Sequence, residues 1–458
     1  MQTARLSILE KIGFGAGDAA VNVVWSSMAL ILTFFYTDVF GLKTEHIGML
    51  IFLPRMIDAF ADVAMGMITD ARTTRYGRYR PYLLYGAVPF GVAVMIVFTT
   101  PDFEYAGKLI WAYVTYTFLM LVFTTVTIPY ISLPGVITDD PQERLSANGY
   151  RLFFAKVAAL MVAGFVPWLA AHWDMEHRSV GYQVSMGLMA GLATLLFLFC
   201  FFTTTERVTH VIERKPLGEQ LALLFKNDQW LVLAAVCIIG TIGYVIRGSV
   251  ALYYAKYFLQ GDDSIQKWFI TTGVAGNIVA MVASTWITKQ FCKIQLFRWT
   301  QIIVFGLSAL LYFAVQPGDV VLAFVLFFLI QFVVDLHAPV FWSAISEAVD
   351  YGEIKIGKRV AGMAFGGISF AQKTGMSLAG LVVGGLLTHF HYEADKVQSD
   401  FTLNGIALLL TIIPGSFHLV MGLLMFKYRI TDKFYAGMKR DHALAGGVMT
   451  GVVSERVK

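Results

Sequence analysis

Two carboxylates stand one helical turn apart in the middle of an apolar stretch of the chain. Asp58 and Asp62 are four positions apart, and Arg55 precedes Asp58 by three. On a helix this spacing puts both carboxylates on one face. In a medium of low dielectric two close carboxylates cannot easily both stay ionised, so one takes up a proton, a cation or a basic partner. The pattern predicts a coupling-ion site; its alternative is a static buried pair between Arg55 and the acids.

A polar stripe near the start of the chain predicts a sugar site. Asp18, Asn22 and Trp25 recur at helical spacing, so a carboxylate, an amide and an indole share one helix face. Sugar hydroxyls donate hydrogen bonds to an acid, while the apolar face of a sugar ring stacks on an indole. In the alternative interpretation, Trp25 faces lipid and Asp18 pairs with a basic residue.

Isolated charges also interrupt apolar stretches in the second half of the chain. Ionisable groups inside a membrane span are costly unless paired or solvated, so each is a candidate for function. Lys373 is far from both ends of its stretch, and we expect it to pair with the two carboxylates at positions 58 and 62. Asp335 and His337 fit either a proton relay or a plain polar contact between helices. These charged or ionisable residues are Arg247, Asp335, His337 and Lys373.

Membrane-spanning helices are the elements that must position these residues. Of the 458 residues, 57% are hydrophobic and 14% are charged, against about 25% charged in an average soluble domain. This composition excludes a soluble, disordered or fibrous protein and predicts an all-α integral membrane protein. About 20 apolar residues cross the hydrocarbon core as a helix. Twelve such stretches lie at residues 12–38, 46–69, 82–100, 109–132, 152–171, 183–204, 229–257, 268–288, 298–315, 319–344, 362–389 and 404–426.

Basic residues predict the orientation of these spans. With both termini inside, 25 Lys and Arg fall in cytoplasmic segments, 5 in the opposite loops and 5 within the spans. Because such an excess marks the cytoplasmic side, we expect a multi-pass protein of the plasma membrane, as in a bacterial inner membrane, with both termini cytoplasmic. The net charge of +4 makes nucleic acid a poor partner. The three cysteines lack metal-site or disulfide spacing, so we expect no metal and no cofactor other than a coupling ion.

The longest predicted cytoplasmic loop divides the spans into two groups of six. We expect a first bundle over residues 1–204, a central loop over 205–228, a second bundle over 229–430 and a cytoplasmic tail over 431–458. Pro129 in span 4 and Pro339 in span 10 each precede an acidic exit, Asp139-Asp140 and Glu347 to Asp350. This weak echo indicates repeated halves, which in secondary transporters hold the binding site at their interface.

Several motifs together resemble the glycoside–pentoside–hexuronide cation symporters of the major facilitator superfamily. They occur in order from about residue 8 to about residue 430. The resemblance implies twelve helices in two six-helix bundles, alternating access, and uptake of a sugar or glycoside driven by an H⁺, Na⁺ or Li⁺ gradient. The motifs are Gly15-Ala-Gly-Asp18, Phe35-Tyr-Thr-Asp38, Asp58-Ala-Phe-Ala-Asp62, Tyr76-Gly-Arg-Tyr-Arg-Pro81, Ile128-Pro-Tyr130, Asp350-Tyr-Gly-Glu353 and Gly357-Lys-Arg359.

For the cation site, the resemblance implies three residues: Asp58, Asp62 and Thr124. Where the sodium-using melibiose symporter of that family has an Asn just before the second carboxylate, this chain has Ala61. The missing amide oxygen weakens the expectation of Na⁺, which needs several oxygen ligands. We therefore expect H⁺ rather than Na⁺.

For the sugar site, the resemblance implies residues on spans 1, 5 and 11 and an aromatic residue on span 10. The acid that precedes Ile-Pro in the melibiose symporter is Thr127 here. With that acid missing and Arg247 present, a galactoside is less expected, and a pentoside, hexuronide or other anionic sugar is favoured. The full set of expected substrate-binding residues is Asp18, Asn22, Trp25, Thr127, Arg151, Arg247, Trp342 and Lys373.

The predicted function is thus a secondary transporter that imports a sugar or glycoside with a cation and works as a monomer. One alternative is the same fold carrying a non-sugar solute such as a lysolipid or a drug. A more remote alternative is a membrane-embedded enzyme that modifies lipids. An enzyme of that kind needs a site near the membrane–water boundary, whereas Asp18, Asp58 and Asp62 lie well inside their predicted spans.

Overall fold

The computed structural model describes residues 6–71, 73–138, 141–173, 178–207, 217–288, 290–356, 361–438 and 440. Some positions named from the sequence lie outside the described residues. They are Asp139, Asp140, Gly357 to Arg359, residues 208–216 of the central loop, and residues 439 and 441–458 of the tail.

Twelve helical segments coincide with the twelve predicted spans. In the first half they are α1 (Ile8–Leu30), α2 (Thr44–Ala71), α3 (Arg80–Val97), α4 (Tyr105–Ser132), α5 (Pro141–Trp173) and α6 (Arg178–Thr203). In the second half they are α7 (Asp228–Tyr253), α8 (Asp263–Ile287), α9 (Lys293–Ala314), α10 (Val320–Asp335 continued by Ala338–Ile356), α11 (Ala361–His389) and α12 (Asp400–Leu410 continued by Ile412–Leu424).

Shorter helices extend or connect these segments. After α1 come the helix Leu32–Phe34 and the π-helical turn Phe35–Val39, and a second π-helical turn, Tyr254–Phe258, follows α7. The helix Pro134–Ile137 follows α4, Leu217–Phe225 precedes α7, and the 3₁₀ turn Met425–Lys427 follows α12.

Three of the twelve helices are less apolar than the others. Within the described residues, eight helices are long and apolar enough to cross a membrane, and α1 with its bent continuation makes a ninth. Helices α2, α8 and α11 are long enough but carry more polar residues, among them Asp58, Asn277 and Lys373. The same three helices lie between the two halves, so their polar residues face protein rather than lipid.

The helices pack as two bundles. Helices α1 to α6 pack on one another, as α1 on α5 and α6, and α3 on α4 and α6. Helices α7 to α12 do the same, as α7 on α11 and α12, and α8 on α10. Among the described residues, the most extensive contacts between the bundles are those of α2 with α11, α5 with α8, and α1 with α7. A site held by residues from both bundles therefore changes shape when the bundles move.

Two helices of the second bundle are broken ahead of a proline. Proline lacks an N–H group and its ring clashes with the carbonyl four residues earlier, which is Asp335 for Pro339 and Leu410 for Pro414. The break in α10 begins directly after Asp335. In α12, the freed carbonyl of Leu410 accepts a hydrogen bond from Arg247 Nε at 3.2 Å. The sequence showed both prolines, but neither break was predicted.

The two ends of the molecule hold the bundles together differently. We call the end with the N-terminus and the α2–α3 connection the terminal end, and the opposite end the far end. At the far end, an ion pair and a hydrogen bond join the bundles: Lys256 Nζ lies 2.9 Å from Asp38 Oδ1, and the Tyr392 hydroxyl donates to Asp38 Oδ2 at 2.6 Å. At the terminal end, the described ion pairs stay within one bundle, as Lys11 with Glu143 and Lys293 with Glu347. The bundles are therefore closed against each other at the far end.

Candidate functional site

The acids predicted to bind the coupling ion form a closed ring with two other side chains. Lys373 Nζ on α11 lies 2.7 Å from Asp58 Oδ2 and 2.5 Å from Asp62 Oδ2. The Thr124 hydroxyl on α4 contacts Asp58 Oδ1 and lies 2.7 Å from Asp62 Oδ1. We call these four residues the carboxylate ring. The pairing of Lys373 with both acids is the arrangement expected from the sequence.

The carboxylate ring lacks one positive charge and one hydrogen. Two carboxylates face one ammonium group, which leaves one negative charge uncompensated within the ring. The Thr124 hydroxyl has a single hydrogen to donate, yet it contacts an oxygen of each carboxylate. A proton on either carboxyl group would supply the missing hydrogen bond and the missing charge together.

Arg55 is buried near the carboxylate ring but does not form part of it. Its Nε donates a hydrogen bond to the Tyr116 hydroxyl at 2.8 Å, and one terminal nitrogen has no partner among the described protein groups. Among the described residues Arg55 forms no ion pair, so the static pair between Arg55 and the acids is not present. Tyr116 was not singled out from the sequence, where a lone Tyr in an apolar span gives no signal.

The first predicted sugar residues form a second, smaller cluster. Arg151 Nε on α5 donates to Asp18 Oδ1 at 3.0 Å. Asn22 Nδ2 donates to the Asp18 carbonyl at 2.9 Å and to Asp18 Oδ2 at 3.3 Å. Asp18 is buried. In this conformation Asp18 is thus paired with a basic residue, and a sugar hydroxyl would have to compete with these bonds.

A cavity of about 170 Å³ lies between the bundles, and we call it the main cavity. The cavity is lined by the predicted aromatic residues Trp25 on α1 and Trp342 on α10. The cavity is also lined by polar side chains of the second bundle, namely Thr241, Tyr244, Asp335, His337, Gln372 and His418. An aromatic face beside a carboxylate, an amide and an imidazole is the chemistry of a sugar site.

A smaller cavity of about 50 Å³, which we call the recess, adjoins the main cavity. Trp25, Ala29 and Tyr244 line both spaces. The ion pair between Lys156 Nζ on α5 and Asp335 Oδ2 on α10, at 2.9 Å, connects the two spaces and the two bundles, since Lys156 lines the recess and Asp335 the main cavity. Asp335 and His337 both line the main cavity, but the partner of Asp335 is Lys156, which sequence reasoning left unassigned.

Of the predicted substrate residues, Trp25 and Trp342 line these cavities, whereas six line neither: Asp18, Asn22, Thr127, Arg151, Arg247 and Lys373. The Arg247 guanidinium, 1% exposed, donates to the Leu410 carbonyl and to Ser308 Oγ at 2.8 Å inside the second bundle. Thr127 lines neither cavity, and its hydroxyl is buried without a protein partner. Because Arg247 lines neither cavity, its position gives no support to the expectation of an anionic sugar. Its Nη1 atom has no partner among the described protein groups.

Helix α11 connects the two kinds of site. Gln372 and Met376 line the main cavity, while Lys373, adjacent to Gln372, holds the carboxylate ring. A shift of α11 therefore changes the wall of the cavity and the ring at the same time. Lys373 itself lines neither cavity in this conformation.

Two helical bundles, with ionisable groups and a cavity buried between them, define a secondary transporter of the major facilitator fold. Comparison with known proteins agrees. The nucleoside transporter NupG, in a mutant form, superposes with a TM-score of 0.66 at 12% identity, covering 92% of this chain and 100% of that one. A likeness at this identity establishes the fold alone.

Sequence comparison establishes the family. Residues 13–432 match the family described as MFS/sugar transport protein. The chain is 35% identical to the "Putative glycoside/cation symporter YagG" of Escherichia coli (strain K12), with 95% of each chain covered. It is 31% identical to the "Isoprimeverose transporter" of Lactiplantibacillus pentosus, covering 95% of this chain and 92% of that one. The chain belongs to the MFS/sugar transport protein family, within the glycoside–pentoside–hexuronide cation symporters, and is a multi-pass inner-membrane transporter rather than an enzyme.

Proposed function

We propose that this chain imports a neutral sugar or glycoside together with a proton, by alternating access of the main cavity to the two sides of the membrane. The carboxylate ring carries this proposal. Its four residues form ion pairs and hydrogen bonds with one another, but one donor hydrogen and one positive charge are missing. A proton fits that deficit without further ligands.

Sodium fits the ring less well for two reasons. Lys373 already occupies one oxygen of each carboxylate, so a metal ion would find only the remaining oxygens and the Thr124 hydroxyl. The position before Asp62 is Ala61, which has no side-chain oxygen. A proton instead needs a single acceptor oxygen, and either carboxylate provides it.

A neutral substrate is favoured by the pairing of charges around the cavities. Lys156 is neutralised by Asp335, and Arg151 by Asp18. Arg247, which suggested an anionic sugar, lies inside the second bundle. What remains for a ligand are hydroxyl, amide and imidazole groups and the faces of Trp25 and Trp342, which suit a polyhydroxylated ring.

The orientation follows from the distribution of charge. Basic residues concentrate at the terminal end, so we place that end and both chain termini in the cytoplasm. The bundles are joined at the far end, which makes this an inward-facing conformation. Both the carboxylate ring and the cavities are built from one chain, so we propose that the monomer transports.

Proteoliposomes that contain the purified protein provide the test. We expect an inward proton gradient to drive sugar accumulation without Na⁺, and Asp58→Asn to abolish accumulation while sugar counterflow continues. The asparagine keeps the shape of the side chain but removes the acid that must bind and release the proton. Asp102→Asn, in the exposed α3–α4 loop, is the matched control and should accumulate sugar normally.

Two results would contradict the proposal. One is a strict requirement for Na⁺ in accumulation, which would assign the ring to a metal ion. The other is full accumulation by Asp58→Asn, which would place the coupling site elsewhere. Because sugar and proton affinities are linked reciprocally, we also expect the half-saturating sugar concentration in counterflow to rise as the pH is raised.

A further inference from the structure

The recess holds two buried amide groups whose oxygens have no protein partner. Asn277 on α8 is 4% exposed and Gln331 on α10 is 8% exposed. Neither Asn277 Oδ1 nor Gln331 Oε1 accepts a hydrogen bond from a described protein group, and both residues line the recess. Buried polar atoms are almost always satisfied, so two orphan atoms in one cavity indicate a ligand with hydrogen-bond donors.

Close packing of α8 against α10 restricts the Gln331 side chain. A Cβ atom at Gly276 would lie 3.2 Å from Gln331 Cβ, and one at Gly273 would lie 3.5 Å from Gln331 Cγ. The stem of Gln331 therefore rests against the glycine surface of α8, which restricts the rotation of this side chain at its Cβ and Cγ atoms before any ligand arrives. A side chain restricted in this way loses little entropy on binding.

The charge in the recess indicates a neutral ligand. The ammonium group of Lys156 is the charged group that lines this space, and Asp335 neutralises it at 2.9 Å. An anion would have to break that pair and leave Asp335 unpaired, at a cost. Sugar hydroxyls bind without breaking it, since each hydroxyl both donates to an amide oxygen and accepts from an amide N–H.

We propose that the recess is a subsite for the second ring of a two-ring sugar, with Asn277 and Gln331 as the residues that recognise its hydroxyls. The inference rests on the proposed function, and it places the first ring in the main cavity beside Trp25. Trp25 and Tyr244 line both spaces, so both sugar rings contact the same two aromatic side chains. Because Lys156 and Trp25 belong to one bundle and both amides to the other, the second ring bridges the bundles.

Counterflow with matched sugars tests the subsite. The probes are xylose with xylobiose and glucose with cellobiose, measured as half-saturating concentrations for the wild type, Asn277→Leu and Gln331→Met. For at least one pair we expect the wild type to bind the two-ring sugar at least about tenfold more tightly than the one-ring sugar. Each variant should lose about tenfold for the two-ring sugar, as one hydrogen bond predicts, and keep its affinity for the one-ring sugar.

A control and two opposite outcomes make the test decisive. Gln183→Met removes an amide that bonds to Thr99 and lines neither cavity, so it should change neither affinity. The unchanged one-ring counterflow shows that a variant is folded. If one-ring sugars exchange but two-ring sugars do not, or if both lose affinity equally in the variants, the subsite is refuted while the proposed function stands. If no sugar exchanges, the proposed function fails, and the subsite with it.

Discussion

At the scale of single residues, the Thr124 hydroxyl is the most informative group in the molecule. It contacts one oxygen of each carboxylate, while Lys373 contacts the other oxygen of each. As a hydroxyl it donates to one oxygen and accepts from another. It therefore serves a carboxylate and a carboxylic acid at the same time, which is the state that a single bound proton creates.

Removing this hydroxyl should uncouple the protein. We expect Thr124→Val to lower proton-driven accumulation at least about tenfold, because a hydrogen bond to a charged group contributes about 1.5–3 kcal/mol. Thr124→Ser should retain most of it. The matched control is Thr125→Val, since the Thr125 hydroxyl bonds to the Leu121 carbonyl of its own helix at 2.8 Å. Accumulation is measured in proteoliposomes with an imposed pH gradient, and normal accumulation by Thr124→Val would exclude a role for the hydroxyl.

Sequence reasoning found the residues whose charge is energetically costly to leave unpaired within a membrane span. Asp58, Asp62 and Lys373 could be paired in advance because an unpaired charge within a span is expensive. Thr124 was found only through the family resemblance, since a lone Thr in an apolar helix is common. Asn277 and Gln331 were missed because their significance lies in side-chain oxygens that have no partner among the described protein groups. Only the three-dimensional packing reveals this.

At the scale of elements, the contact between α2 and α11 decides how closely the bundles approach. Gly48 on α2 and Gly384 on α11 meet backbone to backbone: a Cβ atom at Gly384 would lie 2.4 Å from the Gly48 nitrogen. No side chain can turn away to relieve that overlap. Three of the four residues of the carboxylate ring, Asp58, Asp62 and Lys373, lie on these same two helices. The closeness of the helices therefore also sets the distance between Lys373 and the two acids.

A methyl group at this contact should hold the far end apart. We expect Gly384→Ala to cost about 1–3 kcal/mol in the closed conformation, as overpacking of a dense interface does. The sugar counterflow rate should then fall about tenfold or more. Gly385→Ala is the matched control, because a Cβ atom there meets nothing within 4 Å. Equal counterflow rates in the two variants would show that the close contact does not control transport.

The sequence predicted where helices lie far better than where they break. Hydrophobicity over long stretches is a sum of many residues, so all twelve spans coincide with helices. The break in α10 depends on one carbonyl freed by Pro339, and the position of Arg247 depends on another freed by Pro414. Prolines are tolerated in membrane helices when neighbouring groups form hydrogen bonds with the freed carbonyls. The sequence alone did not show that Arg247 is the neighbour that bonds to the Leu410 carbonyl.

At the scale of the whole molecule, the two halves meet through equivalent elements. A π-helical turn ends the first helix of each half, Phe35–Val39 and Tyr254–Phe258. Asp38 on the first turn pairs with Lys256 on the second. Tyr392 donates a further hydrogen bond to Asp38 at 2.6 Å, and Asp395 lies 2.7 Å from Lys256. We call these four residues the far-end latch.

Under the proposed alternating access, the far-end latch opens once in each transport cycle. The sequence placed Asp38 and Lys256 near the same end of their spans, but it did not predict which end is closed. Which end is closed depends on the difference in free energy between the contacts that join the halves at the far end and those that join them at the terminal end. Helix α11 contributes Lys373 to the carboxylate ring and ends at His389, just before Tyr392. Under the proposed function, protonation of the ring and opening of the far end therefore both act on α11.

Breaking the far-end latch should expose the main cavity to the outside. In a chain without its native cysteines, Ala338→Cys places a thiol in the wall of that cavity, and a membrane-impermeant maleimide in right-side-out vesicles reports opening. We expect Lys256→Met to raise the labelling rate about tenfold, since losing about 1.4 kcal/mol of closed-state stability shifts the population by that factor. Lys396→Met removes an exposed lysine that pairs with Glu393 inside one loop and should change nothing. An unaltered labelling rate in Lys256→Met would mean that the glycine contact of α2 and α11, rather than the latch, keeps the far end closed.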